Sequence, residues 1–143
     1  MYTYVIGLLG GLMENTTIFS YINVLDKAAD ASWTRNEIIA NNIANVDTPG
    51  YKRQDLNFED ELERALGHSR YRTMDQKVAN LKDKHLEARV VNDYPGFSYR
   101  LDKNNVDIDT ENVTLAANQV KYQGLMAGLK SEFQNLQAVS KSS

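Results

Sequence analysis

Residues 18–43 read IFSYINVLDKAADASWTRNEIIANNI, and the spacing of their apolar and small side chains predicts a long helix. Such side chains recur at alternating intervals of four and three residues, the heptad pattern of a helix that packs against another helix. We expect the helix to begin near residue 16 or 17, because Asn15, Thr16 and Thr17 can cap it and Glu14 suits the positive end of its dipole. The predicted seam consists of Ile18, Ile22, Leu25, Ala29, Ser32, Asn36, Ile39 and Ile43. Its middle positions are small or polar, so the helix needs a closely packed partner.

A second long helix is predicted near the other end of the chain, after the carboxylates of Asp107, Asp109 and Glu111. No proline interrupts it. Gly124 and Gly128 lie inside it, and we interpret them as allowing close approach by a neighbouring backbone, although chance would also explain them. Its seam consists of Leu115, Asn118, Tyr122, Leu125 and Leu129, continued by Phe133, Leu136 and Val139. Isolated helices are marginal in water, so we predict that the two helices pair as a coiled coil or pack against other subunits, giving a mainly α fold.

The middle of the chain is polar and offers few apolar anchors. Residues 58–66 are predicted to form a short helix that ends at Gly67, and residues 68–85 show no clear period and are interpreted as a mobile loop. Residues 89–91 and 97–101 flank a Pro-Gly turn and predict a small β-hairpin. We therefore divide the chain into a disordered extension (1–16), an axial helix with a turn (17–51), a small middle segment (52–109) and a second axial helix with a tail (110–143).

Residues 5–13 are the most apolar run, yet they do not form a convincing export signal or membrane span. No Lys or Arg precedes Lys27, and the run has about half of the roughly 20 residues that a spanning helix needs. We favour the interpretation that residues 1–12 are dispensable, with Met13 as a candidate for the true start. The alternative is a short hydrophobic docking segment.

The sequence contains no arrangement typical of catalysis or of cofactor binding. It lacks cysteine, and neither His68 nor His85 has metal-ligand spacing, so we interpret both as surface residues. Asp107, Asp109 and Glu111 resemble the start of a calcium loop, but Asn112 stands where that loop requires glycine, and helix capping explains them better. We therefore predict no enzyme activity, no metal and no cofactor.

The charge pattern disfavours nucleic acid as a partner. The formal net charge is -3, and the basic pairs, Lys52 with Arg53 and Arg70 with Arg72, are interpreted as solvated charge. Nor does any feature indicate a small-molecule substrate.

The most specific segment closes the first helix and reads ANNIANVDTPGYKR over residues 40–53. Asparagine is a poor residue inside a helix, so Asn41, Asn42 and Asn45 suggest amides that bind outside their own turn. Pro49 fixes φ and Gly50 tolerates a positive φ, which predicts a type II turn that ends the helix. Tyr51 would follow as an anchor.

This segment resembles the N-terminal signature of the bacterial flagellar rod, hook and axial family, Ala-Asn-Asn-Ile-Ala-Asn-x-x-Thr-x-Gly-Tyr. Within that family, Asp47-Thr48-Pro49-Gly50-Tyr51, together with Asn104-Asn105-Val106-Asp107-Ile108-Asp109 and the short middle segment, is most similar to the proximal-rod members. The resemblance covers residues 17–139 and is weakest over residues 1–16 and 68–85.

The resemblance implies a structural subunit of the flagellar proximal rod, part of the drive shaft that transmits torque from the membrane ring. It also implies export by the flagellar type III apparatus without a cleavable signal peptide, followed by polymerisation through the terminal helices in a helical stack in the periplasm. The implied partners are other rod proteins, the rod-base adaptor, and membrane-ring and export-gate components.

The predicted interaction residues lie on the two seams and in the Asn-rich turn. They are Ile18, Ile22, Leu25, Ile39, Asn41, Asn42, Ile43, Asn45, Asp47, Thr48, Pro49, Gly50, Tyr51, Leu115, Asn118, Tyr122, Leu125, Leu129 and Leu136. Two alternatives remain at this point. A cytoplasmic helical adaptor or export chaperone would also use exposed seams but would not need the Asn-rich turn, and a small hydrolase would need an acid, base and nucleophile that we do not find.

Overall fold

The computed structural model describes residues 2–67, 72–81, 86–92 and 103–141, with side chains of the first helix described from residue 18 onward. The elements follow in the order α1 (Tyr2–Ala44), β1 (Gln54–Asn57), α2 (Glu59–Leu66), α3 (Met74–Ala79), β2 (Arg89–Asn92) and α4 (Ile108–Lys141). Helices α1 and α4 run antiparallel, because Asn42 contacts Glu111 whereas Leu25 packs beside Gly128. The predicted mainly α fold with two long, mutually packed terminal helices is confirmed.

Helix α1 begins at Tyr2 instead of near residue 16 or 17. The residues before position 16 include leucine and methionine, which favour a helix, and contain no proline that would stop it. Asn15, Thr16 and Thr17 therefore lie inside the helix, because a capping side chain starts a helix only where the backbone before it is not already helical. That residues 1–12 are dispensable stays a prediction.

The contact between the long helices follows the predicted seams over most of their length. The seam residues Ala29, Ser32, Ile39, Asn118 and Leu129 are buried. The remaining seam residues, apart from two near the end of α4, are half-buried: Ile18, Ile22, Leu25, Asn36, Ile43, Leu115, Tyr122, Leu125 and Leu136.

The seam prediction was wrong at two positions near the end of α4. Phe133 and Val139 are 55% and 45% exposed. Phe133 follows Leu129 by four residues where the alternation calls for three, so it lies one position off the strict heptad stripe, on which Glu132 and Leu136 are half-buried.

The hydrophobic core lies where α1 meets the first part of the middle segment. Ala28, Ala31 and Ile38 pack with Leu56 of β1 and Phe58, which precedes α2. Alanine at the first two positions lets β1 and α2 approach the helix closely. The core therefore ties the middle segment to α1.

The middle segment agrees with the predictions in part. Helix α2 ends at Gly67 with φ of 65°, as predicted. Helix α3 lies within residues 68–85, which were interpreted as a mobile loop. That interpretation was wrong for residues 74–79, because Thr73 and Gln76 form a capping box that starts a helix there. Residues 68–71 and 82–85 lie outside the described part of the chain.

The predicted strand at residues 89–91 is present as β2, but its partner in the described structure is β1. The two strands pair antiparallel from Gln54 opposite Asn92 to Asn57 opposite Arg89. The other predicted strand, residues 97–101, and the Pro-Gly turn lie outside the described residues. The turn after α1 sends the chain back along the helix, and this brings β1 within reach of β2.

Candidate functional site

The Asn-rich segment ends α1 in the predicted type II turn. Thr48 O accepts a hydrogen bond from Tyr51 N at 3.2 Å, and Gly50 has φ of 74°, as the third residue of such a turn requires. Asn45 N donates to Asn41 O at 3.2 Å and so completes the last turn of the helix. The chain direction therefore reverses within a few residues of the end of α1.

A side chain from the segment just before α4 donates hydrogen bonds to the backbone of this turn. Asn104, 1% exposed, donates through Nδ2 to the backbone oxygens of Asn45, Val46 and Thr48 at 2.9–3.0 Å. Its Oδ1 accepts from Val106 N at 2.8 Å. The segment before α4 thus satisfies carbonyl groups that the end of α1 leaves without helical partners.

Asn42 is fully buried and uses its whole hydrogen-bonding capacity. Its Nδ2 donates to Gln54 O at 2.8 Å and to Glu111 Oε2 at 3.0 Å. Its Oδ1 accepts from Gln54 N at 3.0 Å and from the Tyr51 hydroxyl at 3.2 Å. One amide therefore joins α1, the returning chain and α4.

Arg53 completes this arrangement with an ion pair. Its Nε donates to Glu111 Oε1 at 2.5 Å, and the Glu111 side chain is 1% exposed. Burial alone would lower the pKa of the Arg53 guanidinium, but the hydrogen bonds and charges of Glu111 and Asp55 outweigh it and raise the pKa. Asn42, Tyr51, Arg53, Asn104 and Glu111 are called the polar cluster below.

A second polar contact lies in the middle of the seam, where the side chains are small or polar. Asn118 Nδ2 donates to Ser32 O at 2.7 Å and to Asn36 Oδ1 at 2.9 Å, and Ser32 Oγ donates to Asn118 Oδ1 at 3.1 Å. The positions that offer little apolar area are therefore paired with one another. Buried polar pairs of this kind fix the register of two helices, because any slip leaves the groups unsatisfied.

A partly exposed ion cluster binds α2 to both long helices. Arg35 donates to both carboxylate oxygens of Glu59, at 2.7 and 2.6 Å, and to the carbonyl of Leu56. Lys121 of α4 donates to the same carboxylate. The hydrogen bonds from Arg35 lower the pKa of the Glu59 carboxyl; burial opposes this effect, and the Lys121 hydrogen bond adds to it.

The predicted interaction residues fall into two groups. Asn42, Tyr51 and the seam residues turn inward and hold one chain together, whereas Asn41, Asp47, Thr48, Pro49 and Gly50 are exposed. Asn45 was expected to bind outside its own helical turn. In the structure its Nδ2 instead donates to Asn41 O, within that turn, at 2.8 Å. The turn therefore presents its outer edge to solvent.

Two members of the polar cluster were interpreted incorrectly from the sequence. Arg53 was taken as solvated charge, and Glu111 as part of a helix cap. In the structure Asp107 provides the cap, and its hydrogen bond with Thr110, followed by those from the Asp109 and Thr110 amides, lowers the pKa of its carboxyl. The signal that could have revealed Glu111 is its position on the Leu115 and Asn118 stripe, where a solvated carboxylate is out of place.

An open groove lies along the outside of the helix pair. It is lined mainly by apolar side chains, including Ile22, Trp33, Tyr122, Met126 and Phe133. Trp33 and Tyr122 contact each other with ring centroids 5.9 Å apart, yet Trp33 remains 55% exposed. An exposed aromatic and apolar surface of this kind is typical of a protein contact site.

The described residues contain no group of His, Asp and Glu that could hold a metal ion. His68 and His85 lie outside them, so the interpretation of these two residues as surface histidines stays a prediction. In the described part of the chain, no helix has the length and apolar content to cross a membrane.

Comparison with known proteins decides the family. The model of the flagella basal body rod protein family matches residues 22–52, which contain the Asn-rich turn and most of the α1 seam. Flagellar basal body rod protein FlgB of Buchnera aphidicola is 32% identical over 123 residues, which cover 83% of this chain and 92% of that protein. This chain belongs to the FlgB family.

Other FlgB proteins match over a similar extent. That of Bacillus subtilis is 31% identical over 82% of this chain and 91% of its own length, and that of Borrelia hermsii is 36% identical over 82% and 87%. The alignments extend far beyond the Asn-rich turn. Membership of the FlgB family makes the chain a structural protein of the flagellar basal body rod rather than an enzyme, as predicted.

Proposed function

We propose that this protein is a subunit of the proximal part of the flagellar rod and assembles there with other rod components. The proposal rests on the way in which the two long helices pack. Buried contacts join them on one side, and an apolar groove remains open on the other. A subunit that transmits torque needs a rigid body and an extensive contact surface. The FlgB family supplies the location.

The buried hydrogen bonds of the polar cluster and of Asn118 give the subunit its rigidity in this proposal. Twisting α1 relative to α4 would break the hydrogen bonds of Asn42 and Asn118, and both side chains are buried where water cannot replace the lost partners. The exposed edge of the turn, with Pro49 and Gly50, is then available to an adjoining subunit. The inner residues hold the subunit together, while the outer residues contact its neighbours.

More specific features of the proposal come from the family resemblance. The subunit would leave the cytoplasm through the flagellar type III apparatus without a cleavable signal and polymerise through its terminal helices as a helical stack. Its partners would include the rod-base adaptor and components of the membrane ring and export gate. Contacts in such a stack are heterologous, because one surface of a subunit meets a different surface of the next.

Deletion of the gene with plasmid rescue tests the proposal. We expect the deletion to abolish swimming and to yield basal bodies that retain the membrane ring but lack the rod in electron micrographs. The plasmid copy should restore both. Intact rods and normal swimming in the deletion strain would overturn the proposal, and retention of the protein in the cytoplasm of rescued cells would favour the adaptor alternative.

A further inference from the structure

The outer edge of the turn after α1, residues 47–50, is exposed and is held by a segment that lies far away in the sequence. This segment, residues 103–105, is called the clasp below. On the side where α1 ends, Asn104 of the clasp donates to three backbone oxygens within residues 45–48 at 2.9–3.0 Å. One buried amide therefore fixes the chain as it enters the edge.

The clasp also holds the chain where it leaves the edge. Lys52 Nζ donates to Lys103 O, and Arg53 N donates to Asn105 Oδ1, both at 2.8 Å. Both bonds come from the immediate neighbours of the buried amide. Between these fixed points, a Cβ on Gly50 would meet no described atom within 4 Å, so the edge itself faces open space among the described residues.

Lys103 has a backbone conformation that residues with a side chain rarely adopt. Its φ is 60°, the one positive value among non-glycine residues in the described part of the chain. Its side chain is exposed, and its bond with Lys52 uses the backbone oxygen, so the lysine side chain does not account for this conformation. Such strain persists where surrounding contacts require it. The requirement here is local, because the backbone of residue 103 directs Asn104 into the turn.

The clasp is continuous with the start of α4. Val106 N donates to Asn104 Oδ1 at 2.8 Å, and Val106 is itself buried. Two residues later α4 begins, and Glu111 in its first turn is buried against α1. The contact of the long helices at Asn118 lies further along and does not involve the clasp. Closure of the clasp is therefore coupled to docking of the start of α4.

We infer that Lys103 and Asn104 are positioning residues for the contact with an adjoining subunit. The clasp holds the outer edge of the turn in the shape that the neighbour meets. Because the clasp closes together with the start of α4, a chain whose C-terminal half has not folded does not offer this contact. The inference rests on the proposed function, in which the outer edge of the turn contacts a neighbour.

Two substitutions at Lys103 test the role of its backbone. Lys103→Gly and Lys103→Val remove the same exposed side chain and keep the oxygen that Lys52 binds, but glycine alone adopts a positive φ without cost. The Tyr51 amide donates to Thr48 O across the edge, so its hydrogen exchange in the purified subunit reports opening of the turn. We expect exchange about tenfold slower with Lys103→Gly than with Lys103→Val. Equal rates overturn the inference.

Asn104→Asp tests the effect on assembly. The substitution keeps the shape of the side chain and the oxygen that accepts from Val106 N, but it places a carboxylate against three carbonyl oxygens and so opens the clasp. In the deletion strain that carries this copy, we expect the fraction of flagellated cells to fall about tenfold or more, since subunits with an open clasp are not competent. The purified variant should keep the helical circular dichroism spectrum of the parent, because the contacts further along the helices remain.

Val78→Ala provides the control for a loss of stability alone. Val78 is buried in α3, whose Asp75 accepts from the Tyr21 hydroxyl, far along α1 from the turn. The cavity should lower the melting temperature and leave the fraction of flagellated cells unchanged. Normal flagellation with Asn104→Asp, an equal fall with Val78→Ala, or loss of the helical spectrum in Asn104→Asp overturns the inference alone. Normal flagellation in the deletion strain overturns the proposed function instead.

Discussion

Replacement of Arg53 by methionine should destabilise the subunit strongly, because it leaves the buried Glu111 carboxylate without its cation. Methionine keeps the unbranched stem as far as the position of Nε but removes the guanidinium and its bond to Glu111 Oε1. Breaking a buried ion pair by removing one partner costs about 3–5 kcal/mol. Asn42 still donates to Glu111 and the Arg53 side chain is 15% exposed, so the lower end, about 3 kcal/mol, is expected.

Urea and thermal unfolding at pH 7, followed by circular dichroism, measure this loss. A loss of about 3 kcal/mol corresponds to a fall in the melting temperature of about 10 °C for a chain of this size. Adding Glu111→Gln to Arg53→Met should recover part of the stability, because a buried amide costs less than an unpaired carboxylate.

An exposed arginine provides the matched control. Arg64 pairs with Glu61 on the surface, with a side chain 70% exposed, and Arg64→Met should cost less than about 1 kcal/mol. The reasoning is refuted if Arg53→Met costs no more than Arg64→Met, or if the double variant is less stable than Arg53→Met alone.

Four further predictions follow from single positions. Gly50→Val should lower the free energy of unfolding by about 1–2 kcal/mol, because its φ of 74° disfavours a branched side chain; an unchanged urea midpoint would contradict this. Asn118→Ala should cost about 1–3 kcal/mol in the same assay, since the Ser32 hydroxyl and Asn36 Oδ1 lose their hydrogen bonds to Asn118, and a loss below about 0.5 kcal/mol would argue against a role for these contacts. Leu125→Pro should cost about 3 kcal/mol or more and abolish swimming, so motile cells would count against paired helices. The pKa of Glu59 is lowered in the folded state, so its carboxylate stabilises the fold above the ordinary pKa of 4.5, and this contribution is lost as pH falls through the folded pKa. In thermal melts, the advantage of the parent over Glu59→Gln should therefore shrink below about pH 4.5. An advantage that does not change with pH would contradict this prediction.

Local patterns were sufficient to predict the two long helices and the turn that joins α1 to the middle segment. Ile39 and Leu129 lie on heptad stripes that can be identified within one helix, and both are buried. Pro49 and Gly50 determine the backbone geometry of adjacent residues, so the type II turn could be predicted from the sequence alone.

Contacts between distant residues could not be predicted in the same way. Arg53 and Glu111 are 58 residues apart, and their charges look solvated when each is considered in its own neighbourhood. Strand β1 was missed because Asp55 and Asn57 are poor strand formers, and the segment is extended only because β2 and Asn42 bind its backbone. In both cases tertiary contacts override the local preference.

The contacts that hold α1 to α4 also determine the order in which the protein can fold. Asn42 finds Glu111 across 69 residues, and Ser32 finds Asn118 across 86. A chain that is still being synthesised therefore holds α1 without α4 until residue 118 has emerged, and an isolated helix is marginal in water. The distribution of contacts itself disfavours early pairing of the long helices, and the subunit becomes rigid only when nearly the whole chain is available.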